Sequence, residues 1–557
     1  MTGTNGRGAK PLSKRVTRSY APLVVVALAF LLMTVVVDPV KRREDRVAAG
    51  GSTRAGGVPG TVATGATGAD PGTAAAGGAG GGAAGTAGGG GGGAGGGGAG
   101  VQPCPDRSRQ VGGDPYSPPC VTFSGDNGGV THRGVSATEV IIAVRELEGP
   151  TAGEIFAQLS GQPVITSKEA VKNTVLALAE YFSSHFNFYG RTIKIEFYKG
   201  QGVGASELLG GGKEAALSDA VKVSQEIGAF ADISGITLPY ADALFQQGVV
   251  NLGAPYPSRE WFVSRRPYSW SIFPDGTNVV ASASAEILRR QPAGSTADFA
   301  GPAYQGKPRV YGIVAPENKE YQESVDRYKG ALAVGGIEPK INLKYKLDLA
   351  SMPNQASNII AQLKDAGVTT VLCGCDPVML ALGLTPKANE QDYEPEWGTA
   401  GLAFVDQDIV GQLIDTKQWR RAFGIAYNAE SEPQGRSYPY AAFKQMRPAD
   451  EPAFGVEELY YQMYMLAIGL QMAGPNLTPD TYEAGMFAYP GGTGPRGLWH
   501  FGEGDYTTTD DFREIWWDPN RISGQNNRPG AWVQLGGGAR YVPDSLPSGP
   551  APFFQEG

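Results

Sequence analysis

From residue 134 onward, short apolar runs alternate with stretches whose apolar residues recur at helical spacing. The run 140–144 (VIIAV) predicts a buried strand. Val171, Val175, Leu178 and Phe182 then share one helical face, and Ile193, Ile195 and Phe197 alternate as a strand. The pattern continues with helix 216–227, strand 229–233, helix 238–247 and strand 249–252. A second set follows: helix 278–290, strand 309–314, helix 324–334, strand 341–346, helix 354–366, strand 369–373 and helix 378–389. Strands separated by helices imply parallel sheets flanked by helices, so the fold class is α/β. Two such sets imply two lobes. Ligands in sheets of this kind sit beyond the carboxyl ends of the strands, which places a site between the lobes.

The first hundred residues follow no such rhythm. Residues 21–37 (APLVVVALAFLLMTVVV) carry no charge and just reach the lower length limit for a membrane-spanning helix. Residues 1–20 form a basic stretch, and its position before an apolar core resembles an export signal. Arg7, Lys10, Lys14, Arg15 and Arg18 precede the core, while Lys41, Arg42, Arg43 and Arg46 follow it, so charge alone barely orients it. The expected arrangement is a cytoplasmic N-terminus, a transmembrane signal anchor at 21–37 and an extracytoplasmic remainder. Cleavage near Ala49 is the alternative. Residues 38–100 read as a flexible linker, because 77–100 contain only glycine and alanine apart from Thr86. The roughly 50 residues ending there would span about 40 Å root-mean-square as a flexible coil.

Cys104 and Cys120 bracket a Pro/Gly-rich loop within the segment 101–136, and a lone pair so spaced reads as a disulfide. Closing such a loop stabilises by about 3 kcal/mol in the chain-entropy model. Charge narrows the partners. Residues 1–46 hold nine Lys/Arg against three Asp/Glu, and 47–100 are neutral, so the chain total of -8 leaves -14 on the remainder. A surface that acidic repels phosphate backbones, which argues against nucleic acid.

The ordered series of segments resembles a known family, the type I solute-binding proteins of ABC importers, in the leucine-binding-protein-like branch. The carrying segments are GVSATEVIIAV, LALAEYFSSHFNFYGRTIKIEFYKGQG, ISGITLPYADALFQQGVVNLGAPYPS, VYGIVAPENKEYQESVDRYKGAL and RGLWHFGEGDYTTTDDFREIWWDP, and the resemblance they carry covers about 134–542. The resemblance implies a two-lobed type I periplasmic-binding-protein fold over 137–545, followed by a tail at 546–557. Lobe 1 would comprise about 137–272 and 426–499, and lobe 2 about 273–425 and 500–545. Three crossings near 270–275, 424–428 and 499–503 would form a hinge. The implied function is capture of a small polar molecule (an amino acid, amide or organic acid) for ABC permease subunits at the cell membrane. The alternative is a membrane-tethered sensing or accessory ectodomain of the same fold.

The candidate ligand contacts lie in the loops at the strand ends. Ser234 and Thr237 sit between a strand and a helix, where hydroxyls and free N–H groups can receive an oxygen. The resemblance assigns this loop to a ligand carboxylate, and helix capping is the competing role. In the next loop, Pro257 stands beside Ser258 where amino-acid binders place a threonine. Tyr256 could line the pocket. The position that matches the family's acidic ammonium partner falls near Gly401, with Asp406 and Asp408 the nearest acids, so that partner is missing from its usual place. Tyr321 falls where the family often has an aromatic contact. Asp376 would touch ligand or cap the helix after Pro377. Cys373 and Cys375 admit three readings: a bond between residues two apart, metal ligation, or two small buried thiols, the last being expected.

No Gly-x-Ser-x-Gly elbow occurs, and His132, His185 and His500 are scattered, so neither a catalytic triad nor a metal site is expected. The stretch Gly200-Gln-Gly-Val-Gly204 hints at a dinucleotide loop, but its third glycine comes one residue early. No cofactor is expected, and the chain reads as a binder, not an enzyme.

Overall fold

In the computed structural model, the described residues are 108–555, apart from 150–151, 162–163, 209 and 349. The predicted anchor, the Gly/Ala linker and Cys104 lie outside them. Among the described residues no helix is long and apolar enough to cross a membrane.

Two sheets organise the chain. The first has the order β2-β1-β3-β4-β5, from Glu139–Glu148 (β1), Thr192–Val203 (β2), Ala231–Asp232 (β3), Val250–Leu252 (β4) and Ser269–Trp270 (β5). All its pairings are parallel, with Val140 opposite Ile193 and Ile142 opposite Ile195. Val140, Ile142 and Ala143 are fully buried, because helices cover both faces. Ser167 starts one of these helices, Lys168–His185, by accepting a hydrogen bond from the Ala170 N–H at 3.2 Å. Val175, Leu178 and Phe182 form its buried stripe. It packs on Val456–Met472, a helix apolar on nearly every side, where Tyr460 and Tyr464 lie 5.2 and 5.3 Å from the Phe182 ring.

The second sheet begins with the same winding. Its order is β14-β13-β10-β9-β8-β6-β7, from Tyr311–Pro316 (β6), Ile341–Tyr345 (β7), Thr370–Cys373 (β8), Glu396–Thr399 (β9), Ala422–Ala426 (β10), Phe512–Ile522 (β13) and Pro529–Gln534 (β14). β6 to β10 are parallel, and β13 and β14 add antiparallel to that edge. A hairpin of Gly492–Gly494 (β11) and Gly497–Trp499 (β12) stands apart, and Arg540–Tyr541 (β15) pairs with β13.

The chain passes between the sheets three times. The first passage, 271–275, runs beside the third, for the Ser271 N–H donates to the Tyr506 carbonyl and the Thr508 N–H to the Ser271 carbonyl, each at 3.1 Å. The third lies at 507–511, later than the expected 499–503, because Trp499, Phe501 and Tyr506 are buried in the core of lobe 1. The second begins at Tyr427, where the Asp406 carboxylate accepts from the Tyr427 and Asn428 N–H groups at 2.9 and 3.0 Å.

The segment around Cys120 belongs to lobe 1 and is not a separate appendage. Tyr116 is buried there, stacks on Trp499 at 4.5 Å between ring centroids and donates its hydroxyl to the Gly497 carbonyl at 2.8 Å. The other late tryptophans divide differently: Trp517 and Trp532 fill the core of lobe 2, and Trp516 packs in a separate cluster with Phe423 and Phe553.

Candidate functional site

In a sheet of order 2-1-3, the crevice opens at the carboxyl ends of strands 1 and 3, where successive connections leave for opposite faces. Lobe 1 places Arg145 of β1 and the loop 233–237 after β3 at that point. Lobe 2 places the end of β6 and the segment 373–376 after β8 at its own.

The lobe 1 residues form one buried network. Ser234 Oγ donates to Asp232 Oδ1 at 2.6 Å and accepts from the Arg145 N–H at 2.8 Å, tying β3 to β1. Asp232 also accepts from the Ser234 N–H and the Tyr240 hydroxyl, both at 2.7 Å, while burial pushes its carboxyl upward. Thr237 occupies the N-cap of helix Leu238–Gln246 yet makes no side-chain capping bond. Its hydroxyl donates instead to Glu207 Oε2 at 2.5 Å. Glu207 belongs to the short helix Gly204–Leu208, and its other oxygen pairs with Arg145 Nη2. Arg145 also lies 3.5 Å from Asp219 and 3.8 Å above the Tyr240 ring.

Arg145 and Glu207 were not legible as site residues. The available signals were an arginine ending an apolar strand and the glycines before Glu207. Those glycines are no dinucleotide loop: Gly200 and Gly202 belong to β2, which gives way to a helix at Gly204. A Cβ on Gly200 would stand 2.8 Å from Asp219 Oδ2 and 2.9 Å from Arg145 Cγ, and one on Gly202 would strike Glu207 and Arg145. They are small because a buried ion-pair network passes beside them.

The remaining candidates are divided between the lobes, Tyr256 and Ser258 in lobe 1 and Tyr321 and Asp376 in lobe 2. Tyr256, held at φ 64°, reaches across from lobe 1, and its hydroxyl accepts from the Ala403 N–H of lobe 2 at 3.0 Å. Burial raises its pKa; the Ala403 N–H opposes this, and Asp406 and Tyr321 add to the rise. Burial likewise pushes Tyr321 up to about 12, with Glu320 adding to it. Ser258 caps the helix Arg259–Val263 by accepting from the Trp261 N–H at 3.3 Å. Asp376 also acts as a cap: Oδ1 accepts from the Val378 and Met379 N–H groups at 2.9 and 3.0 Å, and Oδ2 from the Tyr345 hydroxyl at 2.8 Å.

Near the family's ammonium position, Gly401 has φ 66° and an added Cβ would lie 2.5 Å from the Ile425 carbonyl, so no side chain fits. Asp406 also accepts from Asn428 Nδ2 at 2.9 Å, and Asp408 accepts from Ser523 Oγ and the Trp532 N–H at 2.7 and 2.9 Å. Both acids are engaged within the fold.

Cys373 and Cys375 are joined by a disulfide, which corrects the expectation of free thiols. The expectation assumed an extended chain. β8 ends at Cys373, and the two Cα atoms come within 5.0 Å, inside the span that disulfides bridge. Among the described residues, His500, Asp505 and Asp510 have ligand-type atoms within 4.8 Å of one another, a grouping the scattered histidines did not suggest.

Contacts across the cleft hold the lobes together. The Gly276 N–H donates to the Pro257 carbonyl at 2.8 Å, and Arg327 pairs with Glu260 at 2.9 Å. Gly210, in the turn after Glu207, faces Asn318 of lobe 2.

No protein-family model matches the chain, and no curated protein matches it in sequence. Solved structures match in architecture. A solute-binding protein of an ABC transporter from R. palustris, in complex with 4-hydroxybenzoate, has a TM-score of 0.51 at 12% identity, covering 72% of this chain and 97% of its own. A leucine-, isoleucine-, valine-, threonine- and alanine-binding protein from Brucella ovis, in its closed conformation, gives 0.52 at 13% identity, with 74% and 98% covered. The fold is that of a type I solute-binding protein. A fatty acid ABC transporter substrate-binding protein from Thermomonospora curvata, at 0.51 and 14% identity with 78% and 100% covered, shares this binding-protein fold.

Proposed function

We propose that the chain is a non-catalytic, extracytoplasmic solute-binding protein that captures a small polar molecule and presents it to ABC permease subunits. The observation that carries this reading is the facing of two sheet switch points across a three-stranded hinge, with Tyr256 of one lobe bonded to Ala403 of the other. Such a hinge closes around a solute only through contacts that both lobes make to it. The fold shared with ABC-transporter binding proteins from three sources supports the same role.

The apolar stretch 21–37 serves in this reading as a single-pass anchor, and 38–100 as the tether that lets the domain reach the permease. The Cys104–Cys120 bond belongs to the same oxidising setting. A thermal-shift screen of amides, amino acids, organic acids and polyamines on the full-length protein in mild detergent tests the binding role. A hit confirmed by calorimetry is expected, and no hit across all classes counts against it. Fractionation tests the anchor: the intact chain is expected in membranes, and a solely soluble form beginning near residue 50 overturns it.

A further inference from the structure

Glu207 places a carboxylate where a solute would enter lobe 1. Its side chain is fully buried at the β1/β3 switch point, between Arg145 Nη2 and the Thr237 hydroxyl. A guanidinium, a hydroxyl and a helix N-terminus are the donors with which proteins receive carboxylate oxygens. Here they already receive one from the chain itself. We infer that Glu207 is the resident carboxylate of lobe 1's anion position, so that the cleft takes solutes presenting a neutral or cationic polar group to this wall.

Donor accounting supports the assignment. The Thr237 hydroxyl has one proton and gives it to Glu207; the Ser234 hydroxyl gives its proton to Asp232. Arg145 Nη1 and Nε have no hydrogen-bond partner among the described residues, but both are buried, and Nε faces Asp219 Oδ2 at 3.5 Å. Charge accounting agrees. The Arg145 guanidinium pairs with both Glu207 and Asp219, so one cation already faces two carboxylates and a further anion would be repelled. The backbone is shaped for this occupant as well: Gly202 leaves room for the Glu207 carboxylate, and the Thr237 hydroxyl is diverted from its own helix to reach it.

The ligand class rests on the solute-binding reading; the occupancy does not. Occupancy is tested by thermal unfolding of the full-length protein in mild detergent, in sodium acetate and in sodium chloride at equal ionic strength, for wild type, Glu207→Ala and Glu207→Gln. Removing the Glu207 carboxylate by truncation to Ala opens a carboxylate-sized position beside Arg145. Acetate should therefore raise the melting temperature of Glu207→Ala saturably and leave the wild type and Glu207→Gln unchanged, since glutamine still fills the position. An equal response of all three proteins, or no response of Glu207→Ala to acetate or formate, overturns the assignment. Should Glu207→Ala be recovered only as insoluble chain, refolding in acetate against chloride replaces melting; recovery favoured by acetate supports the proposal, and equal or no recovery overturns it. In the same assay on wild type, stabilisation by an amide or a polyamine supports the ligand class, and stabilisation by benzoate, whose only polar group is a carboxylate, overturns it. If no solute of any class binds while acetate still rescues Glu207→Ala, the solute-binding reading falls and the ligand class with it, while the occupancy stands.

Discussion

The Tyr256 hydroxyl accepts a hydrogen bond from the Ala403 N–H at 3.0 Å, joining a loop of lobe 1 to a loop of lobe 2. Both residues are held in the left-handed backbone region, Tyr256 at φ 64° and Ala403 at φ 51°. Two strained loops thus meet through one neutral bond. Tyr256→Phe keeps the ring beside Phe273, 5.6 Å away, and removes only the hydroxyl. The expected cost is about 1 kcal/mol of stability together with a larger radius of gyration in small-angle scattering, as the lobes part. An unchanged scattering profile would show that this bond does not hold the lobes together.

Gly276 gives a steric test of the same closure. Its N–H reaches the Pro257 carbonyl, and an added Cβ would lie 2.6 Å from Ser324 Oγ and 2.7 Å from the Tyr256 carbonyl. Gly276→Ala is expected to force these groups apart and to cost about 1–3 kcal/mol of stability, read from urea midpoints. Its scattering should resemble that of Tyr256→Phe.

Ser234 and Asp376 are expected to act on stability. Ser234→Ala leaves the buried Asp232 short of a donor and the Arg145 N–H without its acceptor, costing about 1–3 kcal/mol. Asp376→Ala removes the capping bonds to Val378 and Met379 and the Tyr345 bond, with a similar loss. Chemical denaturation measures both. A melting temperature equal to that of wild type in either variant would show that the hydroxyl or carboxylate is free for a solute.

Glu286 predicts a pH dependence. Burial, followed by the nearby Glu514 charge, pushes its carboxyl from 4.5 up to about 8. The folded state then holds this proton over a range in which the unfolded state has released it. Its contribution to stability is therefore full below pH 4.5, declines as pH rises and levels off above about 8, with a slope of at most about 1.4 kcal/mol per pH unit. Glu286→Gln cannot ionise and should lack this decline. Relative to wild type, it should gain stability between pH 4 and pH 8 in urea titrations.

Cys373 and Cys375 should resist alkylation in the unfolded, unreduced protein and both react after reduction. Labelling without reductant would restore the free-thiol reading.

Much of the architecture was legible because local periodicity survives in the fold. Apolar runs such as 140–144 became buried strands, and the stripe of Val175, Leu178 and Phe182 became the buried face of a helix. The pattern even located the loops at the carboxyl edges of the sheets. The expected helix 378–389 formed as well; what period alone does not carry is its widening, for Met379–Leu384 is wound as a π-helix that runs directly into the α-helix Thr385–Glu390.

By itself the sequence determined the α/β alternation, the two lobes and the candidate loops, since these follow from which residues are apolar and how they are spaced. Only the tertiary structure decided what each polar side chain does. Ser234 and Thr237 lie in the strand-to-helix loop where the sequence pattern predicts a ligand contact, yet their hydroxyl protons go to Asp232 and Glu207. Glu207 lies 62 positions from Arg145, and no local spacing announces their meeting. A hydroxyl or carboxylate has the same identity whether it faces solvent, caps a helix or neutralises a buried arginine. The choice is made by burial, which requires each polar group to find a partner, and by the sheet topology that brings distant partners together.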